Sequence, residues 1–312
     1  MRALTYVARM SNAKIANYLP WNDRNGRFSV LRLSVFALAL MPAVWMALKW
    51  NAGWLSPKPF TDILRESGDW AMRFIVLVLA ITPLRNAARW NRVIAVRRMI
   101  GLFAAFYLLV HFSFYFIDQN FVLWRIAMEI IRRLYLTIGF VALILFFALA
   151  ATSSDAMVKR LGSGRWNTLH GLIYFAAFLS ILHYFMQVRL KAYEPSLIAG
   201  LLIMLAGYRL LRKKTGGLAF MPLVFIAVFG AMAAALIEAG YYTYSMNAPF
   251  KVVLESNLDF SALEYSWEIR PAWYVLAAGL AFALIPVLKM VSDKLISLRS
   301  FSQMKTETAR HR

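Results

Sequence analysis

Four histidines and no cysteine set the chemistry open to this chain of 312 residues. Without thiolates it cannot form a disulfide, a thiolate-held iron–sulfur cluster, a Cys-type zinc site or a covalent c-type haem link, so any redox group must be held by other ligands or non-covalently. His311 sits in a charged tail and is set aside. His111 and His183 each lie within a long apolar segment, where such a side chain is costly and therefore a functional candidate. His111 comes 13 residues after Arg98, and His183 comes 14 residues after Leu169. On helices running in the same direction, that puts both imidazoles roughly 20 Å along the helix, at nearly one depth. Two neutral imidazoles at one level on neighbouring helices can supply axial nitrogens to opposite faces of one haem iron. The competing reading is a pair of unrelated histidines that hydrogen-bond within a bundle.

His170 precedes His183 by 13 residues. On an ideal helix this is roughly 20 Å of rise and about 140° of rotation, so the two cannot share one haem unless the first turn of the helix is irregular. His170 is open to three roles: ligand of a second, inner haem, lining of a flavin or quinone site, or cap of the helix start. Arg97 lies 14 residues before His111, about 40° off the same face. It serves either the general excess of inner-side positive charge or as a cation facing a propionate, a flavin phosphate or a quinone carbonyl.

The elements that must position these residues are membrane spans. The chain is 61% hydrophobic and 16% charged with a mean hydropathy of +0.58, far from soluble usage. Segments long and apolar enough to cross fall at about 30–49, 70–84, 98–117, 134–152, 169–188, 196–211, 218–243 and 272–291. This predicts an all-α, polytopic transmembrane helix bundle of about eight spans. A polar preamble at 1–29 precedes the first span and no small-residue cleavage site follows it, so that span is expected to stay as an anchor. With the N-terminus inside, 24 of the 35 Lys and Arg fall on the inner side. The positive-inside rule then places both termini in the cytoplasm, and the net charge of +20 needs no nucleic acid. Trp45, Trp50 and Trp54, and Tyr241, Tyr242 and Tyr244, are expected as interfacial anchors. Arg212-Lys213-Lys214 followed by Thr215-Gly216-Gly217 is the expected boundary between a six-span core, 30–214, and a two-span extension, 215–312, whose outer loop is 244–270.

Several stretches carry a resemblance: Ile81-Thr82-Pro83-Leu84, Arg97-Arg98-Met99-Ile100-Gly101-Leu102, His111-Phe112-Ser113-Phe114-Tyr115, Tyr135-Leu136-Thr137-Ile138-Gly139, Thr152-Ser153-Ser154, Arg165-Trp166-Asn167-Thr168-Leu169-His170 and His183-Tyr184. In this order and spacing the region 30–214 resembles the MsrQ family, haem-binding membrane subunits of the periplasmic methionine sulfoxide reductase system within the ferric reductase-like transmembrane superfamily. The resemblance implies an electron relay in a bacterial inner membrane. Electrons would come from the quinone pool or a cytoplasmic flavin reductase and pass through haem b, with FMN as a further cofactor. They would end at a periplasmic MsrP-like molybdopterin reductase. It also implies that His111 and His183 are ligands of the outer haem and that His170 is a further haem-associated position.

Residues 215–312 exceed the usual length of that family. In their outer loop Glu255, Asp259, Glu264 and Glu268 form either a solvated face or a docking patch for a periplasmic partner. Glu238 and Arg73, near outer span ends, are expected to snorkel. No stretch outside the membrane is long enough for a nucleotide-binding fold. The competing functions are a ferric or other metal reductase on the same scaffold, and a transporter or scaffold without haem.

Overall fold

The computed structural model describes residues 19–23, 26–188, 190–216, 219–259 and 269–310. Most of the preamble at 1–29, Glu264, Glu268 and His311 lie outside the described residues. The described elements are helical, apart from an isolated bridge between Asn22 and Phe28. In chain order they are α1 (Val30–Asn51), α2 (Pro59–Ala88), a 3₁₀ segment (Asn91–Val96), α3 (Arg97–Asp118), α4 (Leu123–Arg132), α5 (Leu134–Ala151), α6 (Asp155–Leu161), α7 (Ser163–Gly171), α8 (Ile173–Gln187), α9 (Tyr193–Thr215), α10 (Phe220–Met246), α11 (Phe250–Leu258) and α12 (Pro271–Arg310).

Eight helical stretches are long and apolar enough to cross a bilayer, in agreement with the eight expected spans. This is a multi-pass membrane protein. The bounds differ in instructive ways. The second span was expected to start near residue 70, yet α2 starts at Pro59. Asp62, Arg65 and Glu66 are too polar to read as membrane, but Asp62 suits the first turn of a helix and Arg65 and Glu66 are sound helix formers, so the helix extends beyond the apolar stretch. The fifth span is two helices: α7 ends at Gly171 and α8 starts at Ile173, with Leu172 N–H bonded three residues back to Leu169 O. The winding tightens at Leu172, whose own dihedrals stay helical, so the rotation between His170 and His183 departs locally from that of an ideal helix.

The chain forms two compact units. The first contains residues up to Val78 together with Val93–Gln187, and includes α1, the first two-thirds of α2, and α3 to α8. In it Pro42 lies inside α1, where it has no N–H to give Leu38 O, and Tyr107 of α3 bonds to the main chain beside it. The Tyr107 hydroxyl accepts from Ala43 N–H at 3.0 Å and donates to Ala39 O at 2.8 Å. Tyr107 is fully buried and its ring stacks on Phe74, centroids 5.2 Å apart.

The second unit contains Leu79–Arg92 and the chain from Val188 onward, including α9 to α12. Its helices meet through small residues, as lipid-embedded interfaces do. A Cβ on Gly200 of α9 would lie 2.7 Å from Ala234 Cβ of α10, and one on Gly230 2.8 Å from Met204 Cβ. Glu238 of α10, expected to snorkel, is instead fully buried with Arg270 Nη1 3.7 Å away. It stands one turn beyond the tight Gly200–Ala234 contact on the same helix. Arg73, in the first unit, packs over the Trp70 ring at 4.8 Å. Of the four outer-loop acids, Glu255 lies on α11 and pairs with Lys251 at 3.7 Å, while Asp259 is the extended cap after its last turn.

Candidate functional site

His111 and His183 are both in the first unit, on α3 and α8, and both are half-buried. His111 Nδ1 lies 2.7 Å from Leu64 O of α2, and His183 Nδ1 lies 2.8 Å from Tyr135 O of α5. A carbonyl only accepts, so each Nδ1 carries the proton and donates it. Each neutral ring then keeps its lone pair on Nε2, and neither Nε2 makes a hydrogen bond among the described residues. This is the arrangement in which a protein fixes the tautomer and orientation of a metal-ligating histidine.

The two attachments repeat one pattern. In each, the accepting carbonyl is followed four residues later by a glycine that faces the ring: Leu64 with Gly68, and Tyr135 with Gly139. A Cβ on Gly68 would sit 2.9 Å from His111 Nδ1, and one on Gly139 2.6 Å from His183 Nδ1. Only a bare Cα at these positions lets the imidazole reach the main chain one turn earlier. Sequence reasoning missed both glycines. Gly139 closes a stretch that had been singled out, and Gly68 had no signal beyond its type.

A side-chain bond ties the two attachments together: the Tyr184 hydroxyl, next to His183, donates to Asp69 Oδ1, next to Gly68. Phe112, next to His111, and Phe140, next to Gly139, approach with centroids 6.0 Å apart and add apolar, aromatic surface. Paired neutral nitrogens, apolar walls and main-chain anchors suit a low-spin iron porphyrin, so the residues present fit a b-type haem.

His170 has a different environment. Its Nε2 lies 3.2 Å from Thr152 Oγ1, whose own proton goes to Ala148 O at 2.8 Å. Its ring stacks on Trp166 with centroids 3.9 Å apart, and Trp166 Nε1 donates to Thr152 O at 2.9 Å. The stretches around Thr152 and Trp166-to-His170, read separately in the sequence, thus meet in one cluster. Arg98, the neighbour of Arg97, pairs at 2.5 Å with Asp155, three residues after Thr152, which ties the start of α3 to the segment that carries this cluster.

Residues 67–181 match the family described as the ferric reductase like transmembrane component. The protein-methionine-sulfoxide reductase heme-binding subunit MsrQ of Rhodospirillum rubrum is 40% identical over 190 residues, covering 59% of this chain and 91% of that protein. The chain belongs to the MsrQ family. The MsrQ of Herminiimonas arsenicoxydans is 39% identical over 179 residues, 57% of this chain and 82% of the relative. The MsrQ of Agrobacterium fabrum is 38% identical over 182 residues, 58% and 84%. No solved structure matches the chain. In this member of the MsrQ family the ferric reductase-like stretch holds Gly68, Arg97, His111, Gly139, Thr152 and His170, and it stops two residues short of His183.

Proposed function

We propose that this chain is the haem-binding membrane subunit of a methionine sulfoxide reductase system and that it relays electrons across a bacterial inner membrane. The observation that carries this reading is the pair of imidazoles whose Nδ1 protons are donated to Leu64 O and Tyr135 O. In this reading His111 and His183 supply Nε2 to a haem b, which would accept and release single electrons. Leu64 and Tyr135 hold the tautomers, and Gly68 and Gly139 admit the rings. The apolar surround keeps water from the axial positions.

The cluster of Thr152, Trp166, His170 and Arg97 is assigned to electron uptake, by a second haem on His170 or by a site for quinol or FMN. A guanidinium such as that of Arg97 suits a propionate, a phosphate or a quinone carbonyl. The names of the MsrQ relatives support the haem and the reductase system. The charge asymmetry supports cytoplasmic termini and an outward relay to a periplasmic MsrP-like molybdopterin enzyme. The relatives' matched length of 190 residues supports a core at 30–214 with 215–312 as an addition.

The test is the absorption spectrum of the purified full chain with and without dithionite. A Soret band and a sharp reduced α band of low-spin haem b are expected, both diminished in His111→Ala and His183→Ala. An unpigmented but folded preparation would end the reading. In His170→Ala, loss of about half the haem identifies a second centre. Retained haem with slower reduction by quinol identifies an uptake site.

A further inference from the structure

The second unit contains a cavity of about 420 Å³ that the relay does not use. Three elements distant in sequence each send it a cation: Arg89 from the turn after α2, Arg212 from the last turn of α9, and Lys289 from α12. Asp293 also lines it and stands between two of them, 2.9 Å from Lys289 and 3.9 Å from Arg89. Arg212 has no carboxylate partner among the described residues. The lining therefore carries more positive charge than its one acid can offset.

A fourth wall residue adds an unused donor. Asn86 Oδ1 accepts from Arg85 Nη2 at 3.3 Å, and because a guanidinium only donates, this fixes which way the amide faces. Asn86 Nδ2 is left buried without an acceptor. Arg89 closes α2 with a left-handed backbone at φ 51°, a conformation rarely adopted by residues with a side chain. The rest of the wall is apolar, with Ala87, Pro286 and Met290. Such a lining, rich in donors and poor in acceptors, suits an anion with several oxygens.

We propose that this cavity binds a phosphate-bearing group, held by Arg89, Arg212 and Lys289, with the apolar wall taking the carbon skeleton attached to it. An anionic phospholipid head group and a free phosphate share that chemistry. The position at the basic ends of membrane-spanning helices favours the lipid, as basic pockets between spans do generally. Asn86 and Arg89 lie inside the ferric reductase-like stretch, whereas Arg212, Lys289 and Asp293 lie beyond it, so the site is completed by residues outside that stretch.

The test uses native mass spectrometry of the full chain in detergent, titrated with phosphatidylglycerol or phosphatidylcholine, with and without excess inorganic phosphate. One phosphatidylglycerol is expected to be retained in preference to phosphatidylcholine. Arg212→Gln and Lys289→Gln should each weaken retention about fivefold and the double variant about 25-fold, the effect of removing cations next to an anionic head group. Lys213→Gln, adjacent but outside the lining, should weaken it far less. Retention unaffected by inorganic phosphate identifies a lipid head group. Displacement by inorganic phosphate identifies a free phosphate as the occupant and also supports the site. Equal retention of both lipids with no phosphate competition overturns the proposal, as does an equal loss in Lys213→Gln. If the double variant does not fold, Arg89→Gln alone must show the fivefold loss, and unchanged retention in that variant equally overturns it.

Discussion

Gly139→Ala should loosen haem binding without loosening the protein. The new methyl carbon would stand 2.6 Å from His183 Nδ1 and 2.8 Å from its Cε1. Ordinary contact between such atoms is about 3.4 Å or more, so the ring must retreat by about 0.8 Å. A retreat of that size takes the 2.8 Å bond to Tyr135 O to about 3.6 Å, past hydrogen-bonding range. For Gly68→Ala the contact is 2.9 Å, and the required retreat of about 0.5 Å leaves the bond to Leu64 O near 3.2 Å, at the edge of that range. Loss of the partner that orients a metal-bound histidine lowers affinity about 10–100-fold, with Gly139→Ala expected near the top of that range and Gly68→Ala near the bottom. Intrinsic helix propensity works in the opposite direction, since Ala favours a helix interior over Gly by about 1 kcal/mol. Haem affinity and thermal stability should therefore part company. The assay is transfer of haem from each variant to a haem-scavenging apoprotein, alongside a melting curve of the haem-free form. Gly240→Ala, where an added Cβ meets nothing within 4 Å, is the control. Haem held as tightly in Gly139→Ala as in Gly240→Ala would refute the reasoning.

Tyr107→Phe should lower stability by about 1–3 kcal/mol, measured by denaturant titration in detergent, because Ala43 N–H and Ala39 O lose their shared partner beside Pro42. Thr152→Val should leave the spectrum assigned to the His111 and His183 centre unchanged while altering reduction by quinol, because its hydroxyl contacts His170 and neither anchored ring. Arg270→Met should destabilise the protein by about 3 kcal/mol by leaving Glu238 buried without its counter-charge, and adding Glu238→Gln should recover much of that loss in the same melting assay.

Much of the arrangement was legible because a membrane limits the options. Apolar length alone located eight spans, and the cost of an imidazole inside such a span singled out His111 and His183. What resisted reading were features decided by a second chain segment. The carbonyls of Leu64 and Tyr135 carry no side-chain signature, so nothing in the composition marks them as anchors. The tightened turn at Leu172 has no proline to announce it. Glu238 reads as a surface acid until Arg270, 32 residues later, is brought back against it. The short α4 escaped because its apolar residues, such as Leu123, Trp124 and Ile131, are interleaved with Arg125, Glu129 and Arg132. That mixture suits a helix lying in the plane of the lipid surface rather than crossing it.

The fastening of both imidazoles to main chain also bears on speed. A ring tethered to a helix backbone on one edge, with a neighbouring Cα closing off its sideways travel, has little freedom to swing when charge at its other nitrogen changes. Dipoles that are already in place need not rearrange during the event they serve. If these rings hold a haem as proposed, the cost of nuclear rearrangement per electron would be kept low, and transfer could stay quick at a small driving force.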